Sequence, residues 1–168
     1  TLTSNVTTTA AAGVDLTATD IRLDGLTIDA SGDGVARFNG ATRLDGATVV
    51  TTTGSGSITF TGTLDSQATE ANTLQLTGDT GDVLLQGAVG SAANGELGAM
   101  TVVSAANLTA LSTIEAASLV QNTGTLTTLT DNVTTTAAAG LDLTATDIRL
   151  DGLTIDASGD GVARFNGA

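Results

Sequence analysis

Cysteine, proline, histidine, lysine, tryptophan and tyrosine are all missing from this 168-residue chain. Without cysteine there is no disulfide framework and no thiol chemistry. With histidine and lysine also gone, carboxylates, arginines and hydroxyls are the side chains left for acid–base or nucleophilic work. The lack of lysine also excludes Lys–Asn isopeptide cross-links. Aromatics are 2%, all of them Phe, which argues against a deep core built on large rings. Missing proline removes a residue that would interrupt a β-ladder. No apolar run approaches the ~20 residues of a membrane-spanning helix, and no secretory leader is visible.

Positive charge is scarce. Five Arg stand against 18 acidic residues, a net charge of −13. Such a chain is soluble, self-repelling, and a poor partner for nucleic acid or an anionic membrane. Cations are the natural counterpart.

What the chain does have is Thr, Ala and Gly, together close to half of it, and short runs of Val, Ile and Leu. This low complexity invites a disordered reading, but 40% hydrophobic residues and a mean hydropathy of +0.25 oppose it. The composition suits a thin, elongated core.

The sequence also repeats. Residues 128–168 copy residues 1–41 at an offset of 127, with Ser4 matched by Asp131 and Val14 by Leu141. Self-similarity at a fixed period is the mark of an array. Residues 1–127 form one full repeat and 128–168 begin the next. Starting without Met and stopping inside a repeat, the chain reads as a window on a longer array.

A shorter period lies beneath. Strand-like segments start near Val6, Val35, Ile58, Val83 and Leu108, and again at Val133, each closely preceded by a turn-favouring residue. Ile58-Thr-Phe60-Thr-Gly62-Thr-Leu64 aligns with Val83-Leu-Leu85-Gln-Gly87-Ala-Val89, and Leu108, Ala110 and Ile114 keep the register. Second strands fall at Val49–Thr51, Leu74–Leu76 and Met100–Val102. Alternation with period 2 marks strands with one buried face. Leu-x-Gly or Phe-x-Gly recurs from Leu23, Phe38, Leu44, Phe60 and Leu85, which predicts a bend that only Gly fits. The Ala-rich Ser104–Ser118 is the nearest approach to a helix, but its register favours strand.

These patterns predict an all-β fold, a parallel β-solenoid with about five coils of ~25 residues in each 127-residue repeat. On that count 127 residues is a whole number of coils. Both copies should then share a face, with Asp24 and Asp151 five coils apart. A string of small antiparallel sandwiches is the alternative, and it lacks an aromatic or Cys anchor.

The stretches Gly56–Asp65, Gly81–Gly90 and Gly98–Asn107 resemble filamentous-haemagglutinin-like, β-strand-repeat giant bacterial surface proteins. The resemblance covers essentially the whole chain. It implies a right-handed β-helix, secretion to the cell surface, a structural or adhesive role, and no catalytic residues.

The candidates for chemistry are acidic. Asp79 and Asp82 sit on a Gly-rich turn, and Asp29 and Asp33 recur as Asp156 and Asp160. All six could offer oxygens to Ca²⁺, although Asp and Gly also simply make turns. The Ca²⁺-binding glycine-rich nonapeptide of β-rolls is absent. Asp side chains stacked at one lateral position would strengthen the case for a cation. Arg22, Arg37 and Arg43 lie within two to four residues of acids, which suggests local surface ion pairs. Thr-x-Thr pairs such as 51/53 and 59/61 follow from Thr abundance, although ice-binding solenoids carry similar ones. Asn5, Asn107 and Asn132 open Asn-x-Thr sequons, yet each lies where a coil begins.

The sequence therefore predicts a non-enzymatic structural segment of a long secreted protein that forms an extracellular fibre or stalk. Its partners would be neighbouring repeats end to end, with rods also able to associate laterally. It would contact neither nucleic acid nor membrane directly. Two other readings are an adhesin that binds glycan along the lateral face and a Ca²⁺-dependent β-roll.

Overall fold

The computed structural model describes residues 1–167. The protein is an all-β parallel solenoid of about 7 turns, with roughly 22 residues per turn and no helix among the described residues. Every pairing between its strands is parallel, which overturns the antiparallel alternative.

Three columns of strands run along the rod. The Phe38 face stacks Val14, Ala36, Ile58, Val83, Leu108, Thr127 and Ile148. The Ile114 face stacks Ile21, Thr42, Leu64, Val89, Ile114, Val133 and Ile155. The Met100 face stacks Thr48, Leu74, Met100, Leu119, Leu141 and Ala163. The chain visits them in the order Phe38, Ile114, Met100. Long strands such as Val14–Leu23, Leu97–Ala110 and Val133–Thr144 run round a corner and serve two faces each.

Burial follows the alternation. Phe38, Phe60, Leu64, Leu76 and Leu85 are buried, and the intervening side chains are more exposed. Each buried Leu, Ile or Phe contributes about 1.5–3 kcal/mol relative to exposure. No turn closes its own core, so that contribution exists only when turns stack. The predicted second strands at Val49, Gln75 and Thr101 lie in register on the Met100 face. Ser104–Ser118 is strand on both sides of a corner.

The glycine bends are real. Gly40, Gly62 and Gly87 stack at the corner between the Phe38 and Ile114 faces. A Cβ on Gly62 would lie 2.5 Å from the Gly40 carbonyl carbon, and one on Gly87 would lie 2.3 Å from the Gly62 oxygen. Gly25 and Gly46 stack likewise at the next corner.

Turn length and phase differ from expectation. Successive residues of the Phe38 face are 22, 22, 25, 25, 19 and 21 positions apart. The 25-residue spacing holds only from Ile58 to Leu108. The extra residues of those turns form corner loops around 67–73 and 91–96, where Ser66 Oγ donates to the Glu70 carbonyl at 2.9 Å and Thr69 N donates to the Asn94 carbonyl at 2.9 Å. Val6 lies on the Met100 face and Val133 on the Ile114 face, so neither starts a coil in line with Ala36, Ile58, Val83 and Leu108.

From Val14 to Leu141 the chain crosses seventeen faces, which at three to a turn is five and two-thirds turns. The two copies therefore do not share a face. Val14 lies on the Phe38 face and Leu141 on the Met100 face. Asp24 follows the Ile114 face, whereas Asp151 follows the Phe38 face. The repeat is rotated by a third of a turn. A corner needs the same small residues whichever faces it joins, so the sequence can shift by one face without strain.

Candidate functional site on the lateral surface

Outward positions form rows along the rod, and the rows show how the acids are disposed. Asp15 lies beside Arg37, which lies beside Thr59. Asp29 lies between Thr7 and Thr51. Asp142 lies beside Arg164, and Asp156 beside Thr134. Among the described pairings no Asp stacks on another Asp, so the like-charge ladder that would favour a cation is not built. The Thr-x-Thr pairs also form no continuous row, since Thr59 is followed by Leu84.

The six Ca²⁺ candidates are dispersed. Asp33 and Asp79 sit two turns apart at one corner, with φ of 61° and 51°. They flank the Gly54–Ser55 turn: Asp79 Oδ2 accepts from Gly54 N at 2.9 Å, and Asp33 Oδ1 accepts from Ser55 N at 3.1 Å. Asp82 Oδ1 accepts from the backbone and side-chain nitrogens of Asn107, at 3.2 and 2.7 Å. These carboxylates tie one turn to the next. Asp29 is half-buried in its strand, while Asp156 and Asp160 are exposed. Among the described residues, no three acidic side chains converge to hold an ion.

The arginines pair across turns more than along the sequence. Arg22 and Arg43 are directly in register, a like-charge contact that Asp45 relieves. Arg22 Nε donates to Asp45 Oδ2 at 2.6 Å and Arg43 Nε donates to Oδ1 at 3.1 Å. Arg37 reaches Asp15 at 3.4 Å, 22 residues back. Arg43–Asp45 alone of these matches the local spacing expected. The sequon asparagines act similarly: Asn5 Oδ1 accepts from Thr27 N at 2.8 Å, and Asn132 Oδ1 from Thr154 N at 2.7 Å.

One polar group escaped the sequence reading. Gln121 is 1% exposed inside the rod, between Val102 and Leu143. Its Oε1 accepts from the buried Thr127 hydroxyl at 2.5 Å, while its Nε2 has no partner. The buried positions change parity between Ser118 and Leu119, which are both buried, and nothing in the sequence marks this. Replacing both groups (Gln121→Leu with Thr127→Val) removes an unpaired buried donor. It should raise stability by about 1 kcal/mol, read as a higher urea midpoint with unchanged slope.

The chain matches no protein-family model, no curated protein and no solved structure.

Proposed function

We propose that this chain is a structural, non-enzymatic segment of an extracellular fibre, stalk or cell-surface filament. The observation that carries the reading is the ladder itself: parallel pairing runs on three faces through about 7 turns. Backbone hydrogen bonds in such a rod lie along its axis, and three columns share an axial load. The ionic and Asx contacts found on the surface link turn to turn, so they reinforce the same direction. A net charge of −13 keeps neighbouring rods apart, and bundling would require cations to offset it. The resemblance to giant bacterial surface proteins supports placement outside the cell.

Two measurements on the purified chain test the proposal: binding to a glycan array, and thermal unfolding with and without chelator. A structural segment shows no saturable glycan binding and an unchanged unfolding midpoint. Saturable binding lost in Thr51→Ala/Thr77→Ala, adjacent outward positions on the Met100 face, would replace it with the adhesin. A midpoint lowered by chelator would replace it with the Ca²⁺-dependent roll.

A further inference from the structure

We infer that the outward surface of the Met100 face, over the middle turns of the rod, is where a second copy of the chain packs side by side with the first. The inference rests on the structural reading and names the surface through which such rods associate.

Alternation places the surface. Leu74, Leu76, Met100 and Val102 are buried, so the residues between and beside them point outward. The central outward row is Val49, Gln75, Thr101 and Val120, in register through four successive turns. Thr51 and Thr77 stand beside it. Gln75 is exposed and the other five are half-buried. None of the six is charged, in a chain of net charge −13. Over the same turns the Ile114 face carries Arg43, Asp65 and Glu115 outward, and the Phe38 face carries Arg37 and Asp82. Acids frame the neutral surface. Glu70 and Glu96 lie in the loops where the chain enters it, and Asp79 lies where the chain leaves. Asp29 and Asp142 follow in the next turns of the two rows.

Charge, relief and composition select a second copy as the occupant. Two rods of one sign repel wherever acids meet, and Met100 face against Met100 face sets no charge opposite a like one at the centre of the contact. The outward rows recur every ~4.8 Å along the rod, a corrugation that fits another stack of the same spacing. The surface has no aromatic or Arg anchor of the kind that carries binding to an unrelated protein. A neutral centre inside a charged rim is also the usual plan of an interface. Four turns by about five residues span ~19 Å by ~17 Å, at ~4.8 Å per turn and ~3.3 Å per residue. A pair of rods then covers roughly 600 Å² of sheet, about half of what a stable complex buries, so the association is weak. The rim acids fix its salt dependence. Sheets packed ~10 Å apart hold opposing carboxylates inside the Debye length of ~30 Å at 0.01 M salt and well outside the ~3 Å at 1 M. Salt should therefore promote this contact, the opposite of its effect on an interface held by ion pairs.

Sedimentation of the purified chain at up to millimolar concentration, in about 0.01 M and about 1 M NaCl, tests the inference. The chain should be monomeric at low salt and show concentration-dependent association at high salt. Gln75→Glu/Thr101→Glu sets carboxylates at the centre of the face and should weaken association about tenfold or more. Thr59→Glu/Thr109→Glu adds the same charge to the outward row of the Phe38 face and should change it by less than about twofold. Both variants should keep the parent's circular dichroism. Single cysteines give a second readout that does not depend on those variants folding, because the chain has no cysteine of its own. At high salt a short bis-maleimide should link Thr101→Cys into dimers and leave Thr109→Cys monomeric. A chain that stays monomeric at both salt concentrations overturns the docking and leaves the face to a partner other than the chain itself. Equal weakening by the two glutamate pairs, or linking through Thr109→Cys, overturns the choice of face. Association that is stronger at low salt overturns the neutral contact in favour of ion pairing. Each of these failures leaves a solitary stalk intact, whereas saturable glycan binding or chelator sensitivity strikes the structural reading itself.

Discussion

Replacing Phe60 by Ala should destabilise the rod by about 3–5 kcal/mol, the range for deleting a buried ring. Phe60 is 1% exposed and stacks on Phe38, with ring centroids 4.4 Å apart and planes within 6° of parallel. Leu85 covers its other side. The loss belongs at the upper end of the range because this interior cannot collapse to fill the hole. Strand spacing along the axis is set by hydrogen bonds at about 4.8 Å, so the neighbouring turns are held apart while the ring between them disappears. Phe60→Leu, which keeps much of the volume, should cost less than about 2 kcal/mol. The damage should also be local, since each turn touches only its neighbours. Amide exchange should quicken around Phe38 and Leu85 and stay slow at Leu129, on the same face but three turns from Phe60. A melting temperature within a degree or two of the parent would show that the interior is plastic, and with it that stacking is not the source of stability.

Much of this rod was legible because its physics is local. Ile58, Phe60 and Leu64 predicted their partners Val83, Leu85 and Val89 correctly, since strand alternation and the Gly at 62 and 87 fix a register over seven residues. What could not be read was the face to which each segment belongs. A three-faced solenoid asks the same thing of every side: two or three inward apolar residues and a tight corner. Val6 and Val133 satisfy that requirement as well as Ile58 does, so taking them as equivalent to it gave five turns per repeat in place of five and two-thirds. Corners add a second blind spot, because they reset the inward parity. Gln121 therefore sits in the core beside Leu119 and Leu143, where simple alternation gave no reason to place it. The candidate site shows the same limit. Asp79 and Asp82 lie on a turn, as predicted, but their partners Gly54 and Asn107 are 25 residues away in opposite directions, a relation set by coil length.

Gly62→Ala should be as costly as any deletion in the core, about 4 kcal/mol or more, a size reached only when something specific is broken. The added Cβ would lie 2.5 to 2.7 Å from the Gly40 carbonyl carbon, its oxygen and Ala41 N. All three are backbone atoms, so no flexible side chain can give way, and relief requires the two turns to separate at their corner. Gly152→Ala is the matched control. Gly152 has a φ of 65°, but a Cβ there meets nothing within 4 Å. Its cost should therefore be the left-handed backbone penalty alone, roughly 1–2 kcal/mol. The difference between the two midpoints in urea isolates the clash from the backbone strain. It also locates one close contact between turns, at the stack Gly40, Gly62 and Gly87. If Gly62→Ala costs no more than Gly152→Ala, neighbouring turns can part at this corner without resistance, and the corner does not hold the turns at their spacing.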